Sequence, residues 1–324
     1  MPHVLVVGSI HPSGRALLAD APDVTAEFVD GTTEDSYASL ISHADALLIR
    51  TQPLGAATVA QAEKLRIVSR HGVGYDAVDV DALTKHGIAL AVCGDVNSTS
   101  VAEHAVMLML AAAKRAVRAD HAVRHGGWGW RDRIEARDLR GQNLLLIGYG
   151  RIGRHTARLC AAFGMTIRAF DPVLEASGWP DGEITPAGNL VEGLGWADIV
   201  SLSVPSAGKP IIGARELSAM KPGSILINTS RGGVVDEAAL VDALHSGQLG
   251  AAGLDVFAQE PLPIDHPLTR LDQVVLSPHI AGVTAEASER MAVGAATNIL
   301  DFFAGRIDPA LVVNKEALNG HIET

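Results

Sequence analysis

Leu144-Leu145-Leu146-Ile147, followed at once by Gly148-Tyr149-Gly150-Arg151-Ile152-Gly153, is the stretch that decides the fold. The aliphatic run reads as a buried strand, and the residues after Gly153 run in helical period to about 162. Glycines at this spacing between a strand and a helix permit a tight turn, close approach of the backbone to a pyrophosphate, and close helix–strand packing. The helix N-terminus adds free N–H groups and a partial positive charge. In a chain with 33 glycines the spacing alone is weak, and its weight comes from the strand, the helix and a following acid. That acid is Asp171, at the end of the next apolar run, 165–170. It lies about twenty residues past the turn, where a carboxylate reaches the adenosine ribose hydroxyls and repels a 2′-phosphate. The expected cofactor is NAD rather than NADP.

Outward from this unit, short apolar runs alternate with helical patterns. They fall at 4–7, 25–29, 46–49, 66–69 and 88–92, and then at 143–147, 165–170, 198–202, 224–228, 251–256 and 273–276. Such alternation belongs to βα units on parallel sheets, and two series predict two α/β domains. A helix is expected over 98–118, with Ser98 or Thr99 as N-cap and Glu103 in an early turn. The polar stretch 119–138 has no period and reads as an extended arm bearing Trp128 and Trp130. A helix follows over 285–303, and 309–314 reads as a tail returning to the first sheet. The domains are thus expected to be discontinuous, 1–97 plus 285–324 and 98–284. The early run Gly8-Ser9-Ile10-His11-Pro12-Ser13-Gly14 has the wrong glycine spacing for a nucleotide and a proline in its loop.

A formal charge of −11 disfavours nucleic acid or an anionic membrane surface as partner, since either would be repelled. Cys93 and Cys160 stand far apart in aliphatic surroundings, so neither a disulfide framework nor a metal site is expected. The first residues enter a strand without a leader pattern, and no run reaches the roughly 18 apolar residues of a spanning helix. The expected compartment is the cytoplasm.

Three further elements lie at strand ends of the second series, where open parallel sheets bind ligands. Thr229-Ser230-Arg231-Gly232-Gly233 places an arginine in a glycine-flexed turn. Its planar fork can grip a carboxylate and lean on a neighbouring carbonyl oxygen, where negative charge builds during hydride transfer. The second element is Gly253-Leu254-Asp255-Val256-Phe257-Ala258-Gln259-Glu260-Pro261, and the third Ser277-Pro278-His279-Ile280-Ala281-Gly282. A lone histidine after proline is more often a half-buried core residue. Ketone reduction, however, requires a proton donor, and a carboxylate bonded to an imidazole fixes its tautomer. Glu260 is the natural partner of His279.

In order and spacing these motifs resemble the D-isomer-specific 2-hydroxyacid dehydrogenase family over nearly the whole chain. Arg70-His71-Gly72-Val73-Gly74-Tyr75-Asp76 is similar to its substrate-domain glycine loop, and Asn97 with Val101-Ala102-Glu103-His104 to the start of its long helix. The resemblance implies two doubly wound parallel-sheet domains, a Rossmann NAD domain inserted into a flavodoxin-like substrate domain. It implies that Arg231 binds the substrate carboxylate, that His279 is the acid/base and Glu260 its partner, and that Asp255 holds the nicotinamide amide. Gly148, Gly150, Arg151, Ile152, Gly153, Asp171, Pro205, Thr229, Gly282 and Val101 complete the implied cofactor contacts, while Val73 and Gly74 offer backbone N–H groups to the substrate. Arg50 and Arg70 end two strands of the first series; arginines at corresponding places bind phosphate in the 3-phosphoglycerate dehydrogenase branch, and two cations suit a dianion. The expected function is NAD-dependent interconversion of a small anionic D-2-hydroxy acid and its 2-oxo acid, with 3-phosphoglycerate, hydroxypyruvate and glyoxylate as candidates. The alternative is an NAD-sensing, corepressor-like interaction protein of the same fold. A homodimer built on the long helix and arm is also implied.

Overall fold

The computed structural model describes residues 1–182, 184–206 and 208–320; positions 321–324, the end of the expected 285–324 segment, lie outside them. The chain divides into two compact units, Met1–Asn97 with Val283–Thr324, and Ser98–Gly282.

In the first unit β1 (His3–Val7), β2 (Thr25–Val29), β3 (Ala46–Ile49), β4 (Ile67–Arg70) and β5 (Ala89–Ala91) form a parallel sheet of order β2-β1-β3-β4-β5. That is the flavodoxin-like order, whose direction reverses between β1 and β3. Val4 to Val7 and Ala46 to Ile49 are all fully buried, as unbroken aliphatic strands require when both sheet faces are covered. The Ala285–Phe303 helix contributes Ala292, Ala295, Ala296 and Ile299 to this core. The tail does return to the sheet: Val312 bridges Ala91 antiparallel. Asn314 fixes it, accepting the Leu90 N–H (2.7 Å) and donating to the Ile88 carbonyl (2.9 Å).

The second unit holds β6 (Asn143–Ile147), β7 (Thr166–Phe170), β8 (Thr185–Pro186), β9 (Ile199–Leu202), β10 (Ser224–Asn228), β11 (Leu249–Leu254) and β12 (Val274–Leu276). They pair in parallel in the order β12-β11-β10-β9-β6-β7-β8. This is the Rossmann arrangement, with its reversal between β6 and β9.

The helical expectations for 98–138 need correction. The helix Ser98–Lys114 already contains Ser98 and Thr99, so neither caps it, and Glu103 falls beyond its first turn. It ends at Arg115, which turns left-handed at φ +55°, and a second helix, Ala116–Arg124, follows with a 3-10 turn at Trp128–Arg133 where an extended arm was expected. Among the described residues no helix is long and apolar enough to cross a membrane, and no cluster of three His, Cys, Asp or Glu side chains could hold a metal ion.

Candidate active site

At the switch point of the second unit, Gly148 leaves β6 at φ +91°, and a Cβ there would lie 2.3 Å from the Ser203 carbonyl oxygen beyond β9. Only glycine allows these strand ends to close. Gly153, in the first turn of the Arg151–Ala162 helix, is equally confined, because its Cβ would meet the Gly148 carbonyl at 2.4 Å. Gly150, the N-cap, has open space on its Cβ side, over the helix start at Arg151 and Ile152 where unpaired N–H groups attract an anion. Asp171 joins this turn. One carboxylate oxygen accepts the Tyr149 N–H (2.9 Å), and the other caps the Pro172–Ser177 helix at the Val173 N–H (3.0 Å) and the Leu174 N–H (3.3 Å). Beyond the neighbouring strand ends, the Ser203 and Thr229 hydroxyls are shielded from solvent and have no partner among the described residues, while Pro205 is exposed. A cradle that a Cβ would fill, an acid bonded to it and two orphan hydroxyls fit a dinucleotide.

The next strand end carries Arg231. Asn228 shapes its turn, accepting the Ser230 N–H (3.0 Å) and hydroxyl (2.8 Å) and donating to the Arg231 carbonyl (2.9 Å). Arg231 Nη1 donates to the Ser230 carbonyl at 2.7 Å. A Cβ on Gly232 would sit 1.8 Å from the Phe257 carbonyl carbon, so the turn lies directly on the chain leaving β11. Phe257 in turn orients Glu260: its N–H donates to Oε1 (3.0 Å), and Oε2 stands 2.7 Å from His279 Nδ1. An ionised carboxylate only accepts, so Nδ1 carries a proton and Nε2 is left for chemistry. The pair is open to solvent, with side chains 51% (His279) and 36% (Glu260) exposed.

His279 adopts φ +52°, a conformation that residues with a Cβ seldom take. Its N–H is held by the carbonyls of Asp255 (2.8 Å) and Ser277 (3.1 Å). Asp255 is 0% exposed. Its Oδ1 accepts from the Ser277 hydroxyl (2.6 Å) and the Ile280 N–H (2.9 Å), and its Oδ2 from the Ala281 N–H (2.8 Å), just before half-buried Gly282. Burial opposes the charge, but hydrogen bonds from His104, Ser277, Ile280 and Ala281 outweigh it and hold the carboxyl below the usual range. Asp255 was expected to hold the nicotinamide amide. It lies beneath the His279 loop, where Oδ2 accepts one protein N–H and Oδ1 two protein donors. Val101, on the Ser98–Lys114 helix, is 6% exposed.

In the first unit, β3 and β4 end side by side with Ile49 opposite Arg70, which makes Arg50 and Arg70 neighbours at the sheet edge. Arg50 Nη1 reaches the Ser9 carbonyl (3.4 Å) across the β1/β3 switch point, and Arg70 Nη1 donates to the His71 carbonyl. Gln52 fixes the bend by accepting the Arg50 N–H (2.9 Å) and the Thr51 N–H (3.1 Å). His71 is 4% exposed. Burial first, then the field of Arg50 and that of Arg70, opposed by hydrogen bonds to the His71 and Ser288 backbone, push its imidazole down to about 4. Val73 and Gly74 follow in a half-buried loop.

Residues 106–281 match the family model described as D-isomer specific 2-hydroxyacid dehydrogenase, NAD binding domain. The chain belongs to this family. It is 39% identical over 315 residues to a D-3-phosphoglycerate dehydrogenase of Mycobacterium tuberculosis, an alignment covering 96% of this chain and 59% of that protein. A glyoxylate reductase of Korarchaeum cryptofilum is 41% identical over 286 residues, covering 86% of this chain and 85% of the relative. Among solved structures, a Thermus thermophilus protein superposes with a TM-score of 0.88 at 33% identity, covering 96% and 99% of the two chains. An NADPH-dependent glyoxylate/hydroxypyruvate reductase from Sinorhizobium meliloti superposes with 0.85 at 29% identity, covering 98% and 99%. The chain thus spans 55–59% of the length of these phosphoglycerate dehydrogenases, and most of that of the reductases.

Gln52, and within the motifs His71, His104 and Ser277, carry contacts without an expected role. His71 stands beside Arg70, and a histidine between two cationic strand ends was a usable signal. His104 and Ser277 gave none, because their importance depends on packing between a helix and a loop more than a hundred residues away.

Proposed function

We propose that this protein is an NAD-dependent dehydrogenase interconverting a small D-2-hydroxy acid and its 2-oxo acid. The observation that carries this is the His279–Glu260 pair at 2.7 Å, with the Arg231 turn packed on the chain that presents Glu260. In the reducing direction Arg231 holds the substrate carboxylate, and protonated His279 gives its Nε2 proton to the C2 carbonyl oxygen. Glu260 accepts from Nδ1 throughout, keeping the ring oriented and its positive form compensated. NADH held at the Gly148–Gly153 turn would supply the hydride. In oxidation His279 takes the hydroxyl proton back.

Asp171 favours NAD over NADP by repelling a 2′-phosphate. Arg50 and Arg70 favour a strongly anionic substrate: 3-phosphoglycerate first, then hydroxypyruvate or glyoxylate. The relatives are named as dehydrogenases and reductases, which supports the enzyme over a cofactor-sensing corepressor. Functionally, the second unit is the cofactor domain and the first the substrate domain. A homodimer is supported by the apolar face of the long helix, where Met107 is 42% exposed, and by Trp128 at 67%. Two buried free thiols, Cys93 and Cys160, suit a cytoplasmic location.

The test is NADH and NADPH oxidation with phosphohydroxypyruvate, hydroxypyruvate, glyoxylate and pyruvate. His279→Ala is expected to lower kcat/KM by about 10²–10⁴-fold, the range of a lost general acid. Unchanged turnover would overturn the assignment.

A further inference from the structure

His104 lies on the Ser98–Lys114 helix with its side chain only 14% exposed. Its Nε2 stands 2.8 Å from Ser277 Oγ and 3.4 Å from Asp255 Oδ1, and Ser277 Oγ is itself 2.6 Å from that same carboxylate oxygen. Valence settles the proton positions. An ionised carboxylate has no proton to give, so the Ser277 hydroxyl donates to Asp255. The Ser277 oxygen then accepts, and the donor is His104 Nε2–H.

The donors to the Asp255 carboxylate, Ser277, Ile280 and Ala281, all come from the loop that carries His279. His104 supports them from a separate element: its Nε2–H goes to Ser277, with the Asp255 carboxylate 3.4 Å away. The loop needs such an anchor. His279 is held at φ +52° and a buried carboxylate is costly unless saturated with donors, so the surroundings must fix what the local chain disfavours.

We propose that His104 is a positioning residue for His279: its Nε2–H locks Ser277 and Asp255, and through them sets the direction in which His279 presents its own Nε2. The proposal rests on the acid/base role given to His279 above. It makes the long helix, through one imidazole, part of the machinery that aims the proton.

Two measurements test it. Nitrogen-15 NMR of the His104 ring needs no turnover: the Nε2–H tautomer is expected, and an Nδ1–H tautomer overturns the proposal. Steady-state kinetics of His104→Leu and His104→Gln are the second. The leucine variant is expected to lose about tenfold or more in kcat, as small misplacements of reacting groups do, with the KM for NADH within about twofold of wild type. The glutamine variant, which keeps an N–H donor, should recover most of that loss. Unchanged kcat in His104→Leu, or a glutamine variant no better than leucine, overturns the proposal. If His104→Leu fails to fold, Ser277→Ala should show the same split of kcat from KM, and normal kcat there is equally fatal. Wild-type protein that turns over no 2-oxo acid defeats the dehydrogenase reading instead, and the tautomer still decides whether His104 is the donor.

Discussion

Acid is expected to destabilise this protein through one buried imidazole. His71 is 4% exposed, and burial, then Arg50 and Arg70, lower its pKa from 6.5 to about 4. In the unfolded chain the ring takes up a proton near 6.5, and in the folded chain only near 4. Between those values the unfolded state binds more protons, so stability rises with pH. The contribution is whole above about pH 6.5, declines as pH falls, and is gone below about 4. At about 1.4 kcal/mol per pH unit the interval amounts to about 3 kcal/mol, a large share of the 5–15 kcal/mol typical of a domain. The assay is urea unfolding of wild type and His71→Asn across this range. Far-UV circular dichroism is the probe, because Trp128, Trp130, Trp179 and Trp196 all lie in the second unit and their fluorescence would miss the first. Whatever the substitution costs at neutral pH, the wild type should then lose about 3 kcal/mol more than the variant on acidification. Parallel curves for the two proteins would refute the reasoning.

Three further outcomes are expected. Gly232→Ala places a methyl 1.8 Å from the rigid Phe257 backbone; it should cost about 1–3 kcal/mol in the urea midpoint, as overpacking does, and lower turnover by shifting the Arg231 turn. Asp255→Asn turns an amide donor toward the Ile280 or Ala281 N–H; about 1–3 kcal/mol should be lost at neutral pH. Because the Asp255 carboxyl is held below its ordinary 3.8, its contribution is present above that value and disappears as pH falls through the folded one, so the variant's acid limb should be flatter below 3.8 than that of wild type. Arg50→Ala should raise the KM for an anionic 2-oxo acid about 10–100-fold, the worth of one charge-assisted hydrogen bond; an unchanged KM would remove Arg50 from the substrate site.

How much of this was legible depends on what makes each element hold. Parallel strands buried on both faces are unbroken aliphatic runs, and Val4 to Val7, Ala46 to Ile49 and Leu144 to Ile147 announce themselves. The two-residue β8 does not, because an edge strand containing Pro186 lacks both length and pattern. The helix Ala116–Arg124 buries none of its side chains and is held locally, by the Asp120–Arg124 pair (2.8 Å) among others, so there is no apolar stripe for periodicity to find. At the site, residue types were legible where chemistry restricts them: an arginine in a glycine turn, a histidine with a glutamate. The donors that surround Asp255 were not, since they come from residues 277–281, more than twenty positions further along the chain.

Solvent and donors separate Glu260 from Asp255 in space. Glu260 keeps a partly exposed carboxylate against the imidazole, whereas Asp255 is sealed beneath the loop and takes its donors from Ser277, Ile280 and Ala281, with His104 behind Ser277. One acid therefore orients the ring from Nδ1, and the other orients the backbone from which the ring projects. The proton transfer proposed for His279 would need both, because a correctly turned imidazole on a displaced backbone misses its target as surely as a misturned one. The two acids should fail differently: loss of Glu260 should change how the ring is held and charged while leaving the loop in place, and loss of Asp255 should loosen residues 277–281 together. Amide exchange in that loop, fast in Asp255→Asn and slow in Glu260→Gln, is the pattern this division of labour requires.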